Sequence, residues 1–164
     1  MTGQARTSSA ERTVVAPSAP RWARLGSLIL AVGGLAVSAY LTVGHYSSST
    51  TLACPETGVV NCVKVTTSSY STLVGVPVAL LGLLFFAAMS VLCSSVAWRS
   101  ASPWVGRARL AGAVAGVVMV VYLVWAELFR IDAICLWCTV VHALTVALFA
   151  VIVLETALRP QDAR

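Results

Sequence analysis

Long apolar runs separated by short polar segments set the pattern of this chain. Four of them, residues 25–46, 74–98, 110–129 and 134–158, each reach the roughly 20 residues that a helix needs to cross about 30 Å of hydrocarbon. All are rich in Leu, Val and Ala, with Gly interspersed, as membrane helices tolerate. Residues 1–24 are polar, carry Pro17 and Pro20, and read as a flexible cytoplasmic tail. Residues 159–164 form a second short tail, leaving a four-span domain over 25–158. The pattern predicts an all-α, integral membrane four-helix bundle with one longer outer loop, residues 47–73.

Composition supports that reading. Apolar types make up 59 % of the 164 residues and charged types only 10 %, against about a quarter charged in ordinary soluble domains. A soluble chain this short could not bury so much apolar surface. The net charge of +5 suggests nucleic acid at first sight, but no basic-aromatic groove motif accompanies it. Placement explains it better. Arg6, Arg12, Arg21 and Arg24 precede the first span, Arg99, Arg107 and Arg109 separate the second from the third, and Arg159 and Arg164 follow the fourth. Only Lys64 and Arg130 fall in the other two loops. By the positive-inside rule both termini are cytoplasmic and those two loops face outward. The stretch 35–39 (LAVSA) resembles a signal-peptidase site. Four retained spans account for the charges of every loop, so the first helix is read as uncleaved.

This topology sorts the five cysteines. Cys54 and Cys62 lie in the outer loop, and Cys135 and Cys138 form Cys-Leu-Trp-Cys at the outer end of the fourth span. Cys93 lies 18 residues beyond Gly75 on an inward-running helix, about 27 Å deeper at 1.5 Å per residue. Two pairs therefore sit on the oxidising side and one spare thiol near the reducing side. Asp132 is placed to cap the fourth helix, which puts Cys135 in its first turn, where unpaired N–H groups favour a thiolate. Cys138 lies on nearly the same face, one turn deeper. Taken alone, the Cys-x-x-Cys is equally compatible with two buried apolar cysteines or a metal pair. The segment from Cys54 to Cys62 is short and turn-rich, easily closed by a disulfide, and on its own reads as a staple. Two pairs at one membrane face suit thiol–disulfide exchange, with electrons passing from pair to pair. Zinc, the rival use of four cysteines, fits these spacings poorly, so no metal is expected.

Taken in order, Cys54, Cys62, the Lys64-Val65-Thr66-Thr67-Ser68 that follows, the Gly75-Val76-Pro77-Val78-Ala79-Leu80-Leu81-Gly82 segment and Cys135-Leu136-Trp137-Cys138 resemble the vitamin K epoxide reductase family over roughly residues 25–158. The match is to its bacterial stand-alone, membrane thiol:quinone oxidoreductase type. The resemblance implies a four-helix bundle around a quinone near the outer face. It also implies a partner, a secreted thioredoxin-fold protein of the DsbA type, whose electrons pass to the quinone. In those terms Cys54 meets the partner, Cys62 shuttles to Cys135, and Cys138 lies against the quinone ring. Ser68 matches the family's loop serine, which supports the site by hydrogen bonding; capping a short interfacial helix over 68–73 is an equally open role. Animal members contact the quinone through an Asn near the second span and a Tyr four residues after the last cysteine. Here the only Asn is Asn61, and position 142 holds His.

His142 lies one turn below Cys138 on the same face. An ionisable residue within a span is a functional candidate by default, and a neutral imidazole there could donate to a quinone carbonyl. Interhelical packing is its other reading. His45 is read as interfacial, and Glu127, Arg130 and Asp132 as a solvated outer corner, with Glu127 paired to Arg130. Trp98, Trp104, Trp125 and Trp137 are read as belt residues, Trp137 also as a shield for the redox pair, and Cys93 as packing. The function expected is that of a membrane oxidoreductase forming disulfides outside the cytoplasm. Its catalytic set is Cys54, Cys62, Cys135, Cys138 and Ser68, and a quinone is held at Cys138 and His142. Two alternatives share the sequence: a quinone-epoxide reductase, and a non-enzymatic membrane scaffold whose cysteines are structural.

Overall fold

A computed structural model describes residues 19–47, 53–54, 57–100 and 102–158. Residues 1–18 of the tail expected at 1–24, and all of the tail expected at 159–164, lie outside the described residues, with Arg6, Arg12, Arg159 and Arg164; residues 21–24 are helical rather than part of a tail. The elements run α1 (Arg21–Tyr46), α2 (Cys62–Thr66), a 3-10 turn (Ser69–Ser71), β1 (Thr72–Leu73), β2 (Val76–Pro77), α3 (Val78–Leu92), α4 (Ser95–Arg99), α5 (Pro103–Ala126), a π turn (Glu127–Ile131) and α6 (Leu136–Leu158). The molecule is an all-α membrane bundle in which α1 packs along α3 and α6, and α5 along α6. Among the described residues three helices are long and apolar enough to span a membrane, Arg21–Tyr46, Pro103–Ile131 and Leu136–Leu158, and α3 is a shorter apolar helix of 15 residues.

Sequence explains the shortness of α3. The expected second span, 74–98, loses its start to a β-hairpin in which Thr72 pairs with Pro77 and Leu73 with Val76. Val74 and Gly75 turn that hairpin with φ of 52° and 81°, so a helix cannot begin before Pro77, which precedes its first residue. At the other end Ser94 caps α4 by accepting from the Ala97 N–H at 3.2 Å, which breaks the run after Cys93. The orphaned carbonyl of Leu92 accepts from Arg109 Nε at 3.0 Å and Nη2 at 2.8 Å, while the guanidinium stacks on Trp98 with its carbon 3.4 Å from the ring centroid. Trp98 is therefore buried beneath Arg109 and is not a belt residue.

Close packing comes from small side chains. Helix α1 buries Ala23, Ser27, Ala31, Gly34, Ser38 and Leu41, a stripe spaced by three and four residues that lets a neighbouring helix approach. Gly34 is required there: a Cβ would collide with the Phe86 ring of α3. Phe86, Met89, Cys93, Ala113, Leu148 and Ile152 continue this core, so Cys93 is a packing residue remote from the other cysteines. Large apolar side chains such as Ile29, Leu84, Val118, Val121 and Leu154 point outward. An apolar exterior of this extent suits hydrocarbon.

Candidate redox site

The loop end of the bundle is built on one disulfide and a set of hydrogen bonds that pull the loop onto α6. Cys54 and Cys62 are joined, with Cα atoms 6.1 Å apart. The Thr57 N–H donates to the Val60 carbonyl at 3.1 Å, forming the turn between them. Asn61 then caps α2 by accepting from the Lys64 N–H at 2.8 Å, which places Cys62 at the first helical position, fully buried. Across the gap, the Asn61 N–H donates to the Ile134 carbonyl at 3.1 Å, and the Ile134 N–H donates to the Val59 carbonyl at 2.9 Å. Trp137 Nε1 donates to the Ala53 carbonyl at 2.9 Å, and the Ala53 N–H donates to Tyr40 Oη at 2.9 Å. The tryptophan inside the Cys-x-x-Cys thus holds the chain next to Cys54. Arg130 Nε reaches Tyr70 Oη at 2.7 Å.

These ties bring all four expected cysteines into one apolar cluster. Cys62 and Cys135 are buried with Val65, Ile131 and Ala133, and Cys54, Trp137 and Cys138 pack against them. The inner cysteines, Cys135 and Cys138, are thiols beside the closed loop disulfide.

The start of α6 differs from expectation in an informative way. Asp132 does not cap it. Its backbone is left-handed, φ 50° and ψ 46°, and its N–H closes the preceding π turn on the Glu127 carbonyl. The cap is Cys135 itself: its carbonyl accepts from the Thr139 N–H at 2.9 Å, and its sulfur accepts from the Cys138 N–H at 3.2 Å. A sulfur in the cap position receives the orphan N–H groups of the first turn and the positive end of the helix dipole. The Cys138 thiol and its backbone N–H both donate to Cys135 and hold its pKa below the ordinary thiol value, outweighing burial. Of the pair, Cys135 is thus the sulfur disposed to ionise first.

Beyond Cys138 the helices enclose a largely apolar cavity of about 280 Å³. Cys138 and His142 line it from α6, Ser68 and Tyr70 from the loop, and Phe85 and Phe86 from α3. His142 is buried. Ser68 donates its hydroxyl to the Val65 carbonyl at 2.8 Å, so it precedes a 3-10 turn, Ser69–Ser71, without capping it through its side chain. His45, Thr66, Ser68 and Ser71 also border a hydroxyl-lined recess, shared with Thr67, Ser69 and Thr72, at the rim of the cavity.

One residue of the cavity was misplaced by sequence reasoning. Glu127 does not sit on a solvated corner with Arg130; it is buried, lines the cavity, and accepts a hydrogen bond from the Cys135 backbone N–H. The signal was available: Ala113, Gly116, Val120, Leu123 and Glu127 share one face at spacings of three and four, and all but Ala113 line the cavity.

The model of the vitamin K epoxide reductase family matches residues 25–153. No curated protein matches the chain.

Proposed function

The chain belongs to the vitamin K epoxide reductase family, hence to a group of membrane oxidoreductases, and on that premise we propose that it is a thiol:quinone oxidoreductase that reoxidises a secreted thioredoxin-fold protein. The observation that carries this reading is the contiguity of the loop disulfide, the capping Cys135 and the cavity-lining Cys138.

A partner dithiol attacks the Cys54–Cys62 disulfide at Cys54, the less buried sulfur, and leaves as a disulfide once its second thiol resolves the link. The loop dithiol formed takes up the two electrons and two protons. Cys62 then attacks Cys135 of an oxidised Cys135–Cys138 pair. Cys138 departs as a thiolate, and Cys54 resolves the Cys62–Cys135 bond by closing Cys54–Cys62 again. The result is the arrangement described here, a closed loop pair over an inner dithiol.

The cavity residues fit a quinone. A space of about 280 Å³ lies near the lower end of small-molecule pockets and suits a ring-sized head group. His142, Ser68 and Glu127 are among the polar groups set in a largely apolar lining, which suits a ring with two carbonyls. A bound quinone supplies a two-electron, two-proton acceptor. Cys138 faces it with sulfur, His142 offers a hydrogen bond to a carbonyl, Ser68 fixes the loop edge of the site through its bond to Val65, and Phe85 and Phe86 exclude water.

Stoichiometry tests this reading. Purified protein, reduced by a small dithiol and freed of it, should lose two inner thiols for each quinone converted to hydroquinone. Replacing Cys138 should abolish the conversion, and a scaffold with structural cysteines should produce none. Conversion of a quinone epoxide in preference to oxidation by the quinone would instead favour an epoxide reductase.

A further inference from the structure

Reduction of a quinone takes two protons, but the inner pair carries one when Cys135 is a thiolate and Cys138 a thiol. The second proton needs a holder beside the sulfurs. Glu127 occupies that place. Its carboxyl lines the same cavity as Cys138, is 6 % exposed, and accepts from the backbone N–H of Cys135 itself. It stands where a π turn interrupts the end of α5, an irregularity that recurs at functional sites. Cys138 and His142 of α6 and Tyr70 and Ser68 of the loop border the cavity with it, and Cys135 touches it directly. Arg130, in the same turn, is engaged with Tyr70. The lining around the Glu127 carboxyl is largely apolar, and a thiolate next to it adds repulsion, so the neutral acid is the form the cavity accommodates.

We propose that Glu127 is the proton donor that completes the inner cysteine pair. This rests on the thiol:quinone reading. As the Cys135–Cys138 bond forms, the S–H bond of Cys138 and the O–H bond of Glu127 break. The electron pair and both protons leave together for the quinone, which is released as hydroquinone. Glu127 remains as a carboxylate and regains its proton from water. The hydroxyl-lined recess shares Ser68, Thr66 and His45 with the cavity, and in this proposal it is the side from which that water comes.

The test uses Glu127→Gln, whose amide oxygen still accepts from Cys135 but carries no acidic proton, and Glu127→Asp, which keeps the acid. In full-length, quinone-free dithiol protein at neutral pH, infrared spectroscopy should show a protonated-carboxyl C=O stretch that Glu127→Gln removes and Glu127→Asp shifts. Single-turnover reduction of added quinone should fall at least about a hundredfold in Glu127→Gln, recover in part in Glu127→Asp, and be rescued by added imidazole, which still carries a transferable proton at neutral pH. Electron transfer from the loop pair to the inner pair should be unchanged. A merely structural role would not respond to imidazole. An unaltered band or an unaltered turnover rate in Glu127→Gln would overturn the assignment. If Glu127→Gln does not fold, an ionised carboxyl in the wild-type and Glu127→Asp spectra does so. Failure of the wild-type dithiol to reduce quinone at all would instead remove the thiol:quinone reading, leaving the infrared result to decide the protonation of Glu127.

Discussion

At the scale of single residues, the site turns on one sulfur doing two jobs. Cys135 caps α6 and, in the proposed relay, is also the sulfur that Cys62 attacks, so the contacts that cap the helix also stabilise the thiolate that leaves when Cys54 resolves the link. Its lowered pKa has a sign that can be checked. A depressed pKa keeps the thiolate present as pH falls below the ordinary thiol value of about 8.5. The ultraviolet absorbance of the Cys135 thiolate, in protein whose loop disulfide is closed, should therefore persist from pH 8.5 down to about 7. Replacing Cys138 by Ala removes the thiol donor, raises the Cys135 pKa, and should make that absorbance fall with each unit of acidification over that window. An unchanged profile would show that the Cys138 thiol does not set the charge on Cys135. The cysteines themselves were legible in the sequence, because two pairs sorted to one membrane face have few physical uses. Glu127 was not. Next to Arg130 and Asp132 it reads as part of a wet corner, an expectation that treats water as the outside solvent. Here Leu128 and Phe129 face outward while Glu127 faces in, the inversion expected where lipid surrounds the helix.

At the scale of elements, the four apolar helices were legible from length alone and their ends were not. Residues 74–98 read as one span. The structure divides them into a hairpin, α3 and α4, because Gly75 takes positive φ, Pro77 sets the helix start and Ser94 opens a new cap. Hydropathy averages over such local geometry. The small-residue stripe of α1 makes a quantitative prediction. Gly34→Val places side-chain atoms where Phe86 lies and should cost about 1–3 kcal/mol, the usual penalty for overpacking. Gly26→Val, at a position with open space around the Cβ, should cost nothing, because Val has a slightly better helix propensity than Gly. Thermal unfolding in detergent compares the two. Equal losses would mean that α1 and α3 do not pack through this glycine.

At the scale of the whole molecule, the bundle carries redox chemistry at one end and a capped, arginine-bearing break at the other. The positive-inside rule assigns the first to the outer face. Cys93 is too buried to report on sidedness, so the exposed Ser100 serves instead. In a Cys93→Ser, Ser100→Cys protein, a membrane-impermeant thiol reagent applied to intact, reduced cells should label Cys54 and spare position 100 until the membrane is opened. Labelling of position 100 from outside would invert the topology. The central claim is that electrons cross from the loop pair to the inner pair through a bond between Cys62 and Cys135. Cys62 and Cys135 share one buried cluster, and a bond between them needs Cα atoms within about 7 Å. In a Cys54→Ser, Cys138→Ser protein neither resolving thiol remains, so mild oxidation should accumulate a Cys62–Cys135 disulfide, seen directly by non-reducing peptide mapping and mass spectrometry. Finding no bond between the two pairs under the same oxidation would contradict the relay.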